Sequence, residues 1–547
     1  MPPIICSENR LATLFACEPV RNTPNVSEGP HVKIHQALCA AALLLAGCAQ
    51  APAPTTAKDT LVWANTSPVR SLDIAHGFDT ASTLAQFAML DTPVTLDKAG
   101  TVVPSLAESW KETKPGVYDF QLRSGVTFSD GTPLTADDVA FSLRRHLDPK
   151  VASEAASYFT TVKSVEVTGP GAVRVVLRQP NGTFLSTAAI GWQVVPRKVA
   201  EAHPKDLGSP DVGTLGTGPY KVARYSITDG LTLVRNERYW GKQPALSKIE
   251  VKAMEDPESL RLAIASGDVE GTMDVPIPDI RKWTSMAGVT TGFYPSNNLA
   301  FLSLDVTAGP LKDVHVRRAV AHALDREALA RVGTAGHGKL IPALLTTPQL
   351  TSLFGDQVEQ VTGRLRTYKH DLAAAKAELA QSAYPDGFSI TVPYAPVENP
   401  LVIQAVIADL AKIGIKLTLD NQPEDAFRAR LMSHDRVGIH FADLGYSTPD
   451  PGEVLPDLLS RASVKEGGWN FSMYASAELD ERLGKTLAAT GPAKAELVTE
   501  VLAEVAEQVP YIPLYCIDQP YTLNKKFTAE LSAWTVDVYS AIRPAVA

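Results

Sequence analysis

Cysteine is nearly missing from the body of this 547-residue chain. Cys6, Cys17, Cys39 and Cys48 crowd the first 48 residues, and only Cys516 lies beyond them. No disulfide framework and no Cys-x-x-Cys site can be built from that distribution, and a chain of this length buries a large core without such staples. Catalytic signatures are missing as well. No serine stands in Gly-x-Ser-x-Gly, which removes the nucleophile elbow of an α/β-hydrolase, and no His-Glu-x-x-His offers a zinc protease site. Positive charge is not in excess: 51 Lys and Arg stand against 60 Asp and Glu, a formal net charge of −9. That balance argues against nucleic acid or an anionic membrane surface as the main partner.

One motif needs a closer look. Gly333-Thr-Ala-Gly-His-Gly338-Lys339 has the glycine and lysine spacing of a phosphate-binding loop. The next residue, however, is Leu340 where a Mg²⁺-ligating Ser or Thr is needed, and Pro342 blocks an early helix. A flexible loop is the better expectation there. The eleven histidines are scattered, and the six-residue gap between His434 and His440 suits neither a helix face nor a strand register. No metal site, cofactor or catalytic residue is expected.

Long apolar runs are also absent. The run Ala37–Ala46 has ten residues, too short to span about 30 Å of hydrocarbon. With Lys33 and His35 before it, it fits the apolar region of a signal peptide. It ends in Leu45-Ala46-Gly47-Cys48, which resembles a bacterial lipobox with Cys48 as the acylated residue. Segment 32–47 is therefore expected to be a lipoprotein signal peptide and 48–60 a Pro-containing tether. Residues 1–31 are polar and aperiodic, and are expected to be an untranslated or disordered extension ahead of a start at Val32.

The chain as a whole, at 45% hydrophobic and 20% charged, has ordinary globular composition. Leu61–Ala64, Val117–Arg123, Val173–Leu177 and Leu231–Val234 read as strands. Segments 135–145, 258–265, 314–330, 372–380, 400–413 and 493–508 read as helices, two of them opened by Thr135 and Asp371 as caps. Interspersed strands and helices predict an α/β fold.

Short motifs then recur in a telling order. They are Ser71-Leu-Asp73, Pro104-Ser-Leu-Ala-Glu-Ser-Trp110, Leu122-Arg-Ser-Gly-Val-Thr-Phe-Ser-Asp-Gly-Thr-Pro-Leu-Thr-Ala-Asp-Asp-Val139, and Gly216-Thr-Gly-Pro-Tyr220. Asn236 with Tyr239-Trp240, Val316 to Arg326, and Tyr511-Ile-Pro-Leu-Tyr515 complete the set. Each piece alone is a turn or an element boundary. Together they resemble the family 5 extracellular solute-binding proteins, the peptide and nickel class of bacterial ABC importers. The resemblance implies a two-lobed periplasmic-binding-protein fold with a hinge. Lobe I would gather 61–85, 212–298 and 516–547, lobe II would hold 299–515, and a small extra domain would occupy 86–211. It also implies a monomer held at the membrane by lipidated Cys48, which hands a small solute to permease and ATPase subunits.

In peptide-binding relatives an Asp four residues before a proline pairs with the ligand ammonium. In Gly445-Tyr446-Ser447-Thr448-Pro449-Asp450-Pro451 the matching position is Ser447, a neutral hydroxyl. Asp443 or Asp450 would have to substitute. Ligand contacts are expected from Tyr446, Ser447, Asp450, Trp469 and Asn470 on one side, with His76, Asp79 and Asn297 opposite and Trp192 as a wall. The expected ligand is a peptide or a sugar-like or opine-like molecule. A metal- or haem-binding member of the same class, and a secreted enzyme, are the competing readings.

Overall fold

The computed structural model describes residues 59–395 and 399–545. The expected extension, the signal peptide, Cys48 and the tether up to residue 58 lie outside the described residues. Thr60, assigned above to the tether, already belongs to the first strand, Thr60–Asn65.

Among the described residues the largest sheet has nine strands. Thr60–Asn65 lies parallel to Lys248–Ala253, which continues antiparallel to Gly230–Arg235 and then Tyr220–Ser226. On its other side come Gly271–Thr272, Tyr511–Asn524, Val289–Leu304 and Ile439–Gly445. Two strands in this sheet are unusually long, Val289–Leu304 with 16 residues and Tyr511–Asn524 with 14. Their antiparallel ladder loses register between Pro295 and Leu299. There the Ser296 hydroxyl donates to the Ile517 carbonyl at 2.7 Å and accepts from the Asn298 amide at 3.1 Å, taking the place of ladder bonds.

A four-stranded antiparallel sheet runs Ala107–Lys114, Val117–Leu122, Ala172–Leu177, Val162–Gly169. Its alternation is plain in the second strand. Tyr118, Phe120 and Leu122 are buried, while Asp119 faces outward into a two-pronged pair with Arg174 on the neighbouring strand. Helix Ala136–Leu147 contacts this sheet, opened by a full capping box between Thr135 and Asp138. Further along, Phe388–Tyr394, helix Pro400–Ala411 and the parallel strand Ile415–Asn421 form a βαβ unit.

Two expectations are corrected. The helix expected over 314–330 is two helices, Val314–Ala323 and Arg326–Gly333. Leu324 is extended, and Asp325 restarts the chain by accepting from the Ala328 amide at 2.9 Å. The stretch expected to be a flexible loop holds a short strand, Gly338–Leu340, paired antiparallel to Tyr511–Asn524. Lys339 is thus ladder-bound and not poised over a phosphate.

Candidate functional site

The Ser71-Leu-Asp73 segment builds structure. Asp73 is buried and receives both Arg145 nitrogens, at 3.1 and 2.7 Å, with His76 Nδ1 at 3.0 Å. Burial alone would raise its pKa, but His76 and Arg145 outweigh it and hold the carboxyl at about 2. The same Asp73 contact raises the His76 pKa. His76 is thus committed to the interior of its own segment.

Asp79 is a helix cap. It accepts from the Ser82 amide at 3.0 Å at the start of Thr80–Phe87, and Arg70 Nε lies 2.9 Å from its other oxygen. Capping leaves it at the rim of a cavity of about 420 Å³, which brings together Asp79, Thr80, Thr83, Asn297, Tyr446 and Ser447. Phe78, Phe87 and Trp534 give the same cavity an aromatic wall. Four residues expected from the sequence therefore meet in one place, although Asp79 and Ser447 are 368 positions apart.

The loop carrying Ser447 is held stiffly. Glu453 accepts from the Ser447 amide at 3.2 Å, the Thr448 amide at 2.8 Å and the Thr448 hydroxyl at 2.7 Å. The Tyr446 amide donates to the Asn297 carbonyl at 3.2 Å, joining the loop to the irregular stretch of Val289–Leu304. Two polar atoms of cavity-lining residues, Asn297 Oδ1 and Tyr446 Oη, are buried without a partner among the described residues. Burial, together with the charges of Asp457 and Glu453, drives the Tyr446 pKa well upward, so the phenol stays neutral and can donate.

Three expected contacts are structural instead. Asp450 caps helix Pro451–Leu459 and takes Lys494 Nζ at 2.6 Å on both oxygens. Asn470 is fully buried: its amide nitrogen donates to the Tyr474 carbonyl at 3.0 Å, and its oxygen accepts from Ser472 and Tyr511. Trp192 is no cleft wall. It lies inside the core with Phe120 and Phe184, and its indole N–H donates to the Val139 carbonyl at 2.9 Å.

Trp469 lies elsewhere, 41% exposed, on a second cavity of about 570 Å³ that also holds Asp443 and Tyr515. Sequence reasoning missed Thr80, Thr83 and Trp534. The first two had a signal, since a helix opened by Asp79 puts positions 80 and 83 on one face; Trp534 had none.

Residues 101–466 match the bacterial extracellular solute-binding proteins, family 5 Middle. The chain belongs to that family. Heme-binding protein A of Haemophilus influenzae is 26% identical over 524 residues, covering 87% of this chain and 92% of the relative. Glutathione-binding protein GsiB of Salmonella typhi is 27% identical over 484 residues, with the same two coverages. Among solved structures, HbpA2 from Haemophilus parasuis has a TM-score of 0.78 at 23% identity, covering 89% of this chain and all of that one. NikA from Brucella suis, solved with Fe(III)-EDTA, has a TM-score of 0.75 at 22% identity, covering 89% of this chain and 100% of that one. The fold is the two-lobed α/β fold of periplasmic binding proteins, and this family 5 protein binds a solute. No helix among its described residues is long and apolar enough to cross a membrane.

Proposed function

We propose that this protein captures a small polar organic molecule outside the cytoplasm, between two lobes, and delivers it to the permease of an ABC importer without making or breaking a bond. The observation that carries the reading is the cavity that brings Asp79, Thr80, Asn297, Tyr446 and Ser447 together from distant parts of the chain. The cavity takes Asp79 and Thr80 from lobe I and Tyr446 and Ser447 from lobe II, as those lobes were read from the sequence. The register break at Pro295–Leu299 sits where a hinge is needed, between the two ends of a strand shared by both lobes.

The hydroxyls and aromatic faces of this cavity, beside an Asp79 already paired with Arg70, support a peptide or a sugar-like solute. Cys48 would tether the monomer to the membrane. A thermal-shift screen of the purified protein against peptides, glutathione, sugars and opines tests the ligand. A solute at a thousand times its Kd stabilises by about 4 kcal/mol. No shift with any solute, together with unchanged uptake in a deletion strain, would end this reading. Substituting Cys48→Ala should move the protein from the membrane to the soluble fraction.

A further inference from the structure

A third cavity, of about 220 Å³, is lined by helix Gly491–Gln508, by the residues around Ile341 and by the start of Tyr511–Asn524. It shares no lining residue with the cavity of Asn297 and Ser447. Ile341, Leu344, Leu502 and Val505, all buried, give it apolar walls. Arg326 and Arg366 are its charged residues, and no Asp or Glu among the described residues lines it. The fold treats the two arginines differently. Arg366 is answered from outside the cavity, by Glu507 at 3.0 Å and Glu378 at 3.6 Å. Arg326 makes no ion pair with any described residue. It donates to the carbonyls of Tyr368 at 3.0 Å and Pro513 at 3.3 Å, and burial pulls its pKa down with no acid nearby to oppose the shift.

That arrangement selects a ligand. Of the five N–H donors of a guanidinium, two are spent on these carbonyls and three remain. The carbonyls orient the group without neutralising it, and an arginine keeps its charge at neutral pH. A carboxylate arriving there gains charge-assisted, fork-shaped hydrogen bonds, while a cation is repelled. The walls choose the rest of the molecule. A dry apolar cavity of about 150 Å³ accepts a benzene ring, so this larger one has room for a ring with a short arm. An inorganic anion would use the charge and leave the apolar walls unfilled.

We propose that this cavity is a second binding site, separate from the solute-binding cleft, for a small organic carboxylate with an apolar body. Its carboxylate sits on Arg326 and its body packs against Leu344 and Leu502.

Phenylpropanoate and phenylpropanamide test it, since they match in shape and differ in charge. Calorimetric titration of the purified protein should show the carboxylate binding at least tenfold more tightly than the amide. In Arg326→Met the gap should close through loss on the carboxylate side. Ala506→Phe fills the cavity and leaves the guanidinium in place, so it should weaken the carboxylate at least tenfold; this variant decides alone if Arg326→Met does not fold. Equal affinity of the two probes for the unmodified protein overturns the proposal, as does no binding of the carboxylate at millimolar concentration. Carboxylate binding that Ala506→Phe leaves unchanged places the anion elsewhere and overturns it too. None of these failures touches the cleft, which the solute screen tests separately.

Discussion

Asp73 and Asp443 are the same residue put to opposite uses. Asp73 is 1% exposed and meets Arg145 and His76, so its carboxyl sits near 2. Asp443 meets no partner among the described residues, and although solvent reaches its side chain, desolvation by the surrounding protein raises it to about 6. One charge is balanced within the fold; the other meets no counter-charge among the described residues. An aspartate's role is thus decided by whether the fold supplies its counter-charge, and the contrast can be tested from both ends.

The largest effects should fall on the balanced side. Arg145→Ala leaves Asp73 buried without its main cation, and breaking a buried pair costs about 3–5 kcal/mol. Urea unfolding should show that loss; a cost below about 1 kcal/mol would mean the pair is not what holds this segment. Trp192→Ala should cost a comparable 3–5 kcal/mol, because it empties a core site against Phe120 and Phe184. The paired test is Trp469→Ala, which removes a partly exposed ring and should cost no more than about 1 kcal/mol of stability. A reversal of those two tryptophans would exchange their assigned roles.

A medium effect should appear in acid. The Asp73 carboxyl is held below its ordinary value of 3.8, so the stability it contributes is complete above that value and is lost as pH falls toward about 2. The shift corresponds to about 2 kcal/mol. His76 works from the other side: its pKa is raised, so its share is present below 6.5 and fades as pH rises through the higher folded value. Unfolding curves between pH 2 and 5, compared with those of Asp73→Asn, should show the acid loss only in the unmodified protein.

How much of this was legible beforehand depended on the reach of the interaction involved. Strand Val117–Leu122 and helix Ala136–Leu147 announce themselves because alternation and a Thr135–Asp138 capping box lie within a few residues. Asp325 was locally ambiguous: the apolar periodicity runs through it, while its side chain and amide prefer the Ala328 amide and the Asp409 carboxylate. Gly338–Leu340 became a strand only because Tyr511–Asn524 lies beside it. Site residues were hardest to sort for the same reason. Asp450 and Asp443 look alike in sequence, and Lys494, which separates them, is 44 positions from Asp450.

The smallest effect is the one that sharpens the comparison most. If Asp443 is an uncompensated charge, Asp443→Asn should leave the unliganded protein as stable as before at pH 5, or slightly more stable at pH 8. The sign follows from the raised pKa: the folded state holds the Asp443 proton more tightly than the unfolded chain does, so stability declines as pH rises from 3.8 through about 6. Solvent reaches the side chain and screens it, which limits the effect to about a few tenths of a kcal/mol. Matched denaturation curves of the two proteins across pH 4 to 8 would resolve it by their divergence. A variant that loses more than about 1 kcal/mol at pH 8 would place Asp443 with Asp73, as a charge the fold itself uses.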